Sequence, residues 1–180
     1  MMAAMRIIAG SHKGHRIAAP KGDATRPTGD RVREAAYNLI GPVDDAAVLD
    51  LFAGSGAMAL EALSRGAARA TLVEQDRDAC RTINANLDKL RLTGARVLCQ
   101  DVRRFLPTER QLYDLILVDP PYDMVESLAM PLSTHLPRLL AADGLVVYET
   151  GARQEPELAG LALRTSRKYG NVRLTLFEQP

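Results

Sequence analysis

The chain has 180 residues, of which 47% are hydrophobic and 25% charged, with a formal net charge of +1, the make-up of one main globular domain and not of a disordered or repetitive chain. No apolar run approaches the roughly 20 residues of a membrane span, and the opening Met1-Met2-Ala3-Ala4-Met5-Arg6 lacks the apolar stretch of a secretory signal, so a cytoplasmic location is expected. Cys80 and Cys99 show neither CxxC spacing nor a cluster with His12, His15 or His135; they read as small buried hydrophobes, and neither a disulfide nor a metal site is expected.

In chain order, residues 6–10 and 15–18 are short β-prone runs around Ser11-His12-Lys13-Gly14, the pattern of a hairpin. Residues 20–28 are rich in Gly, Pro and polar side chains and predict a loop. A helix follows, with Val32, Ala35, Ala36, Leu39 and Ile40 at helical spacing, Thr28 or Asp30 as N-cap, and Gly41-Pro42 as its stop. Residues 1–41 hold seven Lys or Arg against three acids, a net +4, while the remainder is −3. A basic arm on a slightly acidic body points to an anionic partner, although many solvated surfaces are locally basic.

From Ala47 strands and helices alternate. Strands are expected over 48–52, 70–74, 96–99, 115–118 and 145–148, with helices over 57–65, 76–90, 102–106 and 125–141, the last broken at Pro131 with Pro137 as a second candidate break. The end reads as a hairpin, 161–168 and 172–177, around Gly170-Asn171. Near-continuous apolar strands separated by helices mean a parallel sheet covered on both faces. The expected fold is therefore α/β: a doubly wound, mostly parallel, seven-stranded sheet over residues 42–180, carrying a hairpin-and-helix extension over residues 1–41.

In such sheets ligands sit at the carboxyl ends of the strands. The first strand ends in Asp50-Leu51-Phe52-Ala53-Gly54-Ser55-Gly56 and turns directly into a helix. Glycines there let backbone approach a ligand, and the helix start offers free N–H donors. Glu74 ends the second strand and can accept from ribose hydroxyls; Asp101 ends the third and can accept from an adenine amine. Each acid alone is what a helix cap or a wet strand end would show, whereas three at successive strand ends, Asp50, Glu74 and Asp101, outline an adenosine pocket formed with Phe52, Gly54 and Gly56. The glycine segment leaves the cofactor open. Gly54 to Ala59 also fits G-x-G-x-x-A, and Glu74 stands 20 residues after Gly54, as in nicotinamide-dependent oxidoreductases.

Asp119-Pro120-Pro121-Tyr122, at the end of the fourth strand, favours S-adenosylmethionine. Prolines fix the backbone and remove N–H donors, leaving a carbonyl at Pro120 to accept. A planar base stacked on Tyr122 can donate from its amino group to Asp119 and to that carbonyl. Two acceptors aim the nitrogen lone pair, and the carboxylate stabilises charge developing there. A stacked base must first be flipped out or be unpaired already. The plainer reading is a rigid turn, since a double proline in a loop is common by itself; its place directly after a four-residue apolar strand, and downstream of a glycine loop and two acids, speaks against that reading.

The chain resembles the family of bacterial 16S ribosomal RNA guanine-N2 methyltransferases whose target is the guanine at nucleotide position 966. The resemblance covers nearly the whole length: residues 6–10, Lys13-Gly14, the arginine motif at 25–34, residues 49–56 and 60–66, Glu74, and residues 119–122. It implies a Rossmann-like class I methyltransferase that converts S-adenosylmethionine to S-adenosylhomocysteine. It also implies Gly54, Gly56, Glu74 and Asp101 at the cofactor, and Asp119, Pro120 and Tyr122 at the target base. The partner would be 16S rRNA or the small ribosomal subunit, with the basic arm docking RNA phosphate chiefly through Lys13, Arg16, Arg26, Arg31 and Arg33. A DNA adenine-N6 methyltransferase shares the glycine and double-proline motifs, but reading duplex DNA usually takes a further module, for which about forty N-terminal residues and short loops leave little room. A nicotinamide-dependent oxidoreductase gives residues 119–122 no role, and a non-catalytic RNA-binding protein gives the adenosine pocket none.

Overall fold

The computed structural model describes residues 5–21 and 29–180. Seven strands make one sheet: β1 (Ala47–Asp50), β2 (Arg69–Glu74), β3 (Ala95–Cys99), β4 (Tyr113–Val118), β5 (Leu140–Gly151), β6 (Ala162–Tyr169) and β7 (Val172–Glu178), in the spatial order β3-β2-β1-β4-β5-β7-β6. The first five are parallel, β7 is antiparallel to β5, and β6 completes the terminal hairpin. The helices are α1 (Asp30–Ile40), α2 (Ala57–Ser64), α3 (Arg77–Leu90), α4 (Val102–Phe105) and α5 (Val125–Leu139). Among the described residues no helix is long and apolar enough to cross a membrane.

The sheet divides two apolar layers because successive residues of a strand face opposite sides. Val48, Leu115, Leu117 and Val147 pack with α1, α2 and α3; Leu49, Ile116, Val118 and Val146 pack with α4 and α5. Each fully buried Val, Leu or Ile contributes about 1.5–3 kcal/mol, which explains why the central strands read as unbroken apolar runs.

Two expectations about the helices need correction. Helix α5 is continuous through Pro131 and Pro137. Its Leu128, Leu132, Leu136 and Leu139 are all fully buried, and that stripe, which excludes the prolines, holds the helix together. Asp30 is the first residue of α1 and not its cap; Gly29 takes the cap position without a side-chain bond, and Thr28 lies outside the described residues. The residues at helical spacing in α1 do face the core: Ala36 is buried with Arg33 and Tyr37, and Val32, Ala35, Leu39 and Ile40 pack against it partly buried.

Residues 5–21 double back in a narrow ribbon. Arg6 pairs with Arg16, the Ile7 N–H donates to the His15 carbonyl (2.9 Å), and the Ile17 N–H to that of Met5 (2.9 Å). Met5, Ile7 and Ile17 enter the same apolar layer as α1 and α2. Polar groups of α2 and α3 hold the ribbon down. The fully buried Glu61 carboxylate accepts from the Ile8 and Ala9 N–H groups (2.8 and 2.9 Å). Asn86 accepts from the Ala18 N–H (2.8 Å) and donates to the Ala18 and Ser55 carbonyls. Gly10 is obligatory at the crossing: its φ is +82°, and a Cβ there would stand 1.8 Å from the Ser64 carbonyl oxygen.

The same hub removes Arg33 from the expected RNA surface. Its side chain has no solvent exposure; it donates to Asp30 (2.8 Å) and to the Arg6 carbonyl, and its Nε lies 3.7 Å from Glu61. A guanidinium enclosed by the ribbon and α2 cannot reach a phosphate. Cys80 is buried as expected, but Cys99, at the end of edge strand β3, is exposed; both are free thiols.

Candidate active site

The chain visits β1, β2 and β3 on one side of the sheet and then returns to β4 on the other, so the order reverses between β1 and β4. A cavity of about 760 Å³ opens at the carboxyl ends of these strands, where a doubly wound sheet leaves a crevice. Asp50, Phe52, Gly54, Glu74, Asp101, Asp119, Pro120 and Tyr122 all line it. Gly56 does not, and its role is packing. It caps α2 at φ +82°, and a Cβ there would meet Ile83 and Leu72 side chains at 3.3–3.4 Å. A Cβ on Gly54 would meet nothing within 4 Å, so the backbone is open at that point.

Three of the strand-end acids already hold backbone. Glu74 accepts from the Gly54 N–H (2.8 Å) and from the Asp76 N–H (2.9 Å), fixing the glycine loop against the end of β2. Each carboxylate oxygen can accept again, so hydroxyl recognition stays compatible with this geometry. Asp101 caps α4 by accepting from the Arg103 N–H at 2.6 Å. Asp50 is buried and accepts from the Phe52 and Ala59 N–H groups. Burial first, then the charges of Asp119 and Glu74, push its carboxyl from 3.8 up to about 7.

On the β4 side, Asp119 is half-buried and Pro120 buried. Tyr122 is 37% exposed at the start of a 3-10 turn, Tyr122–Met124. Its carbonyl accepts from Gln154 (3.4 Å), whose side-chain oxygen accepts from the Gly151 N–H (3.1 Å). That bridge ties the tyrosine loop to the end of β5. The sequence reading missed Glu149, on β5, and the ribbon residues Met5 and Lys21, all of which line the cavity. A signal for Glu149 was present, since it is an acid directly after the apolar run 145–148.

Of the expected RNA contacts, Lys13, Arg16 and Arg31 are exposed, and Arg26 lies outside the described residues. Lys89 joins this surface: it is exposed and donates to the Arg16 carbonyl at 2.9 Å. Among the described residues no group of His, Cys, Asp and Glu is arranged to hold a metal.

The family model described as "conserved hypothetical protein 95" matches residues 5–178. The chain belongs to that family. The YlbH protein of Bacillus subtilis is 37% identical over 182 residues, covering 97% of this chain and 99% of its own. Ribosomal RNA small subunit methyltransferase D of Escherichia coli K12 is 44% identical over 119 residues, a stretch that spans 66% of this chain and 60% of that protein. Among solved structures, yhhF of Escherichia coli superposes with a TM-score of 0.83 at 34% identity, over 99% of this chain and 100% of the other.

Proposed function

We propose that this protein transfers a methyl group from S-adenosylmethionine to the exocyclic N2 amine of a guanine in 16S rRNA, acting in the cytoplasm on the RNA or on the small ribosomal subunit. The observation that carries the reading is the meeting, in one cavity across the β1/β4 switch, of an adenosine-type half and a base-type half. The first half is Gly54, Glu74 and Asp101; the second is Asp119, Pro120 and Tyr122. A nicotinamide enzyme leaves the second half unused, and an RNA-binding protein leaves the first. The relative named as a small-subunit rRNA methyltransferase supports the same class.

The residues present fit a cationic adenosine cofactor. Glu74, Asp101 and Asp119 supply negative charge around the cavity, and about 760 Å³ lies within the range of roughly 300–1,000 Å³ common for small-ligand sites. When bound, S-adenosylmethionine supplies a methyl group already activated by its sulfonium and leaves as S-adenosylhomocysteine. Glu74 holds the ribose hydroxyls while it keeps the glycine loop in place. Asp101 accepts from the adenine amine. Tyr122 stacks the flipped guanine, and Asp119 with the Pro120 carbonyl accepts from its amine, aiming the nitrogen lone pair and stabilising the charge that develops there. Lys13, Arg16 and Arg31, with Arg26, hold RNA phosphate.

The test incubates the enzyme and Asp119→Ala with labelled cofactor and small ribosomal subunits, their bare RNA, or duplex DNA, and resolves the digested nucleosides. N2-methylguanosine from a ribosomal substrate, absent with Asp119→Ala although that variant binds cofactor, is expected. N6-methyldeoxyadenosine from DNA with no RNA product would overturn the substrate and the base.

A further inference from the structure

We infer that Glu149 is the residue that reads guanine, accepting a hydrogen bond from the base N1–H while Asp119 holds the neighbouring amine; this rests on the guanine-N2 reading above. Val118 of β4 is the register partner of Tyr148 of β5, and Leu117 that of Val147. Asp119 and Glu149 each follow by one residue, so they stand level at the carboxyl edge of adjacent strands. Alternation turns both toward the sheet face of Leu117 and Val147, and all four residues line the cavity. The Tyr122 ring lies against the end of β5: a Cβ on Gly151, two residues beyond Glu149, would stand 3.9 Å from Tyr122 Cε2. A base stacked on Tyr122 therefore has two carboxylates within reach of one edge.

The chemistry of that edge selects the base. Guanine presents two adjacent donors, the N2 amine and N1–H, which match two acceptors side by side. Adenine and 2,6-diaminopurine present a bare N1 lone pair beside an amine, which a carboxylate repels. A site built to accept a hydrogen bond discriminates strongly against an analogue that lacks the donor. Loss of one charge-assisted hydrogen bond corresponds to about a 10- to 100-fold effect.

The experiment uses a 16S rRNA fragment carrying either guanosine or 2,6-diaminopurine riboside at the methylated position. Both bases keep the 2-amino group that receives the methyl. The native enzyme should favour guanine in kcat/KM by about 10- to 100-fold. Glu149→Gln, whose amide can donate to N1 of diaminopurine, should bring the ratio toward one or invert it, with cofactor affinity by calorimetry unchanged. Glu149→Ala removes both the acceptor for N1–H and the repulsion of the bare N1, so it should lower guanine methylation by about 10- to 100-fold and narrow the ratio without inverting it. A native enzyme that methylates the two bases equally, or a Glu149→Gln enzyme that keeps the native ratio, overturns the assignment while leaving the methyltransferase reading intact. A cofactor-binding enzyme that methylates neither base in any ribosomal substrate removes the guanine reading and Glu149 with it.

Discussion

Replacing Glu61 by alanine tests how the N-terminal ribbon is held. The carboxylate is fully buried and accepts from two ribbon amides, Ile8 and Ala9, at 2.8 and 2.9 Å, and from Arg65 Nε at 2.8 Å, with the buried Arg33 at 3.7 Å. Hydrogen bonds to a charged group are worth about 1.5–3 kcal/mol each, and removing one partner of a buried ion pair costs about 3–5 kcal/mol. The terms overlap because the same carboxylate is counted in both. Asp30 continues to neutralise Arg33, so a total of about 3–5 kcal/mol is expected, or about 6–20 °C in Tm for a chain of this size. Urea unfolding measures the free energy, and hydrogen exchange should show the Ile8 and Ala9 amides exposed first. Arg65→Ala is the comparison. Its side chain is 21% exposed, so about 1 kcal/mol is expected for one partly screened partner. A Glu61→Ala protein within about 1 kcal/mol of the native one, well below the range for a broken buried pair, would refute the hub.

Asp50 sets a pH dependence. With its carboxyl pushed from 3.8 to about 7, the ligand-free fold keeps a proton that the unfolded chain has already released between those values. Stability should therefore fall as pH rises from about 4 to about 7, by up to about 4 kcal/mol, and melts of Asp50→Asn should lack that slope. Tyr122→Phe should be mild and Tyr122→Ala should lose roughly 1–3 kcal/mol of base stacking, read as kcat/KM on the ribosomal substrate; equal loss in both would assign the hydroxyl and not the ring. Replacing Lys13, Arg16 and Arg31 together should flatten the salt dependence of RNA affinity and leave cofactor affinity as it was. An unchanged slope in filter binding would move the docking surface elsewhere.

Most of the fold was legible because it is written in local repeats. The apolar runs at 48–52, 70–74 and 115–118 each sit within two residues of an observed strand end, since a strand buried on both faces admits few polar residues. Asp50, Glu74, Asp101 and Asp119 could be placed at a common edge for the same reason: the sequence shows where strands stop, and a parallel sheet stops them all at one end. Their partners were not legible. Glu74 and Asp101 anchor backbone as well as face the cavity, which needs the loop geometry of Gly54 and Arg103. Arg33 looked like an exposed cation because the Glu61 that lies against it is 28 residues away and on another helix; its local traces were its place one turn before Ala36 and Tyr37 and its i,i+3 spacing from Asp30. Glu149 acquires meaning only when β5 settles beside β4 in the register that sets it level with Asp119. Periodicity and turn residues, which act over a few positions, determined the elements and their order. Which charges are enclosed, and which acids meet at one base edge, depends on contacts between distant segments, and only the tertiary structure decided those.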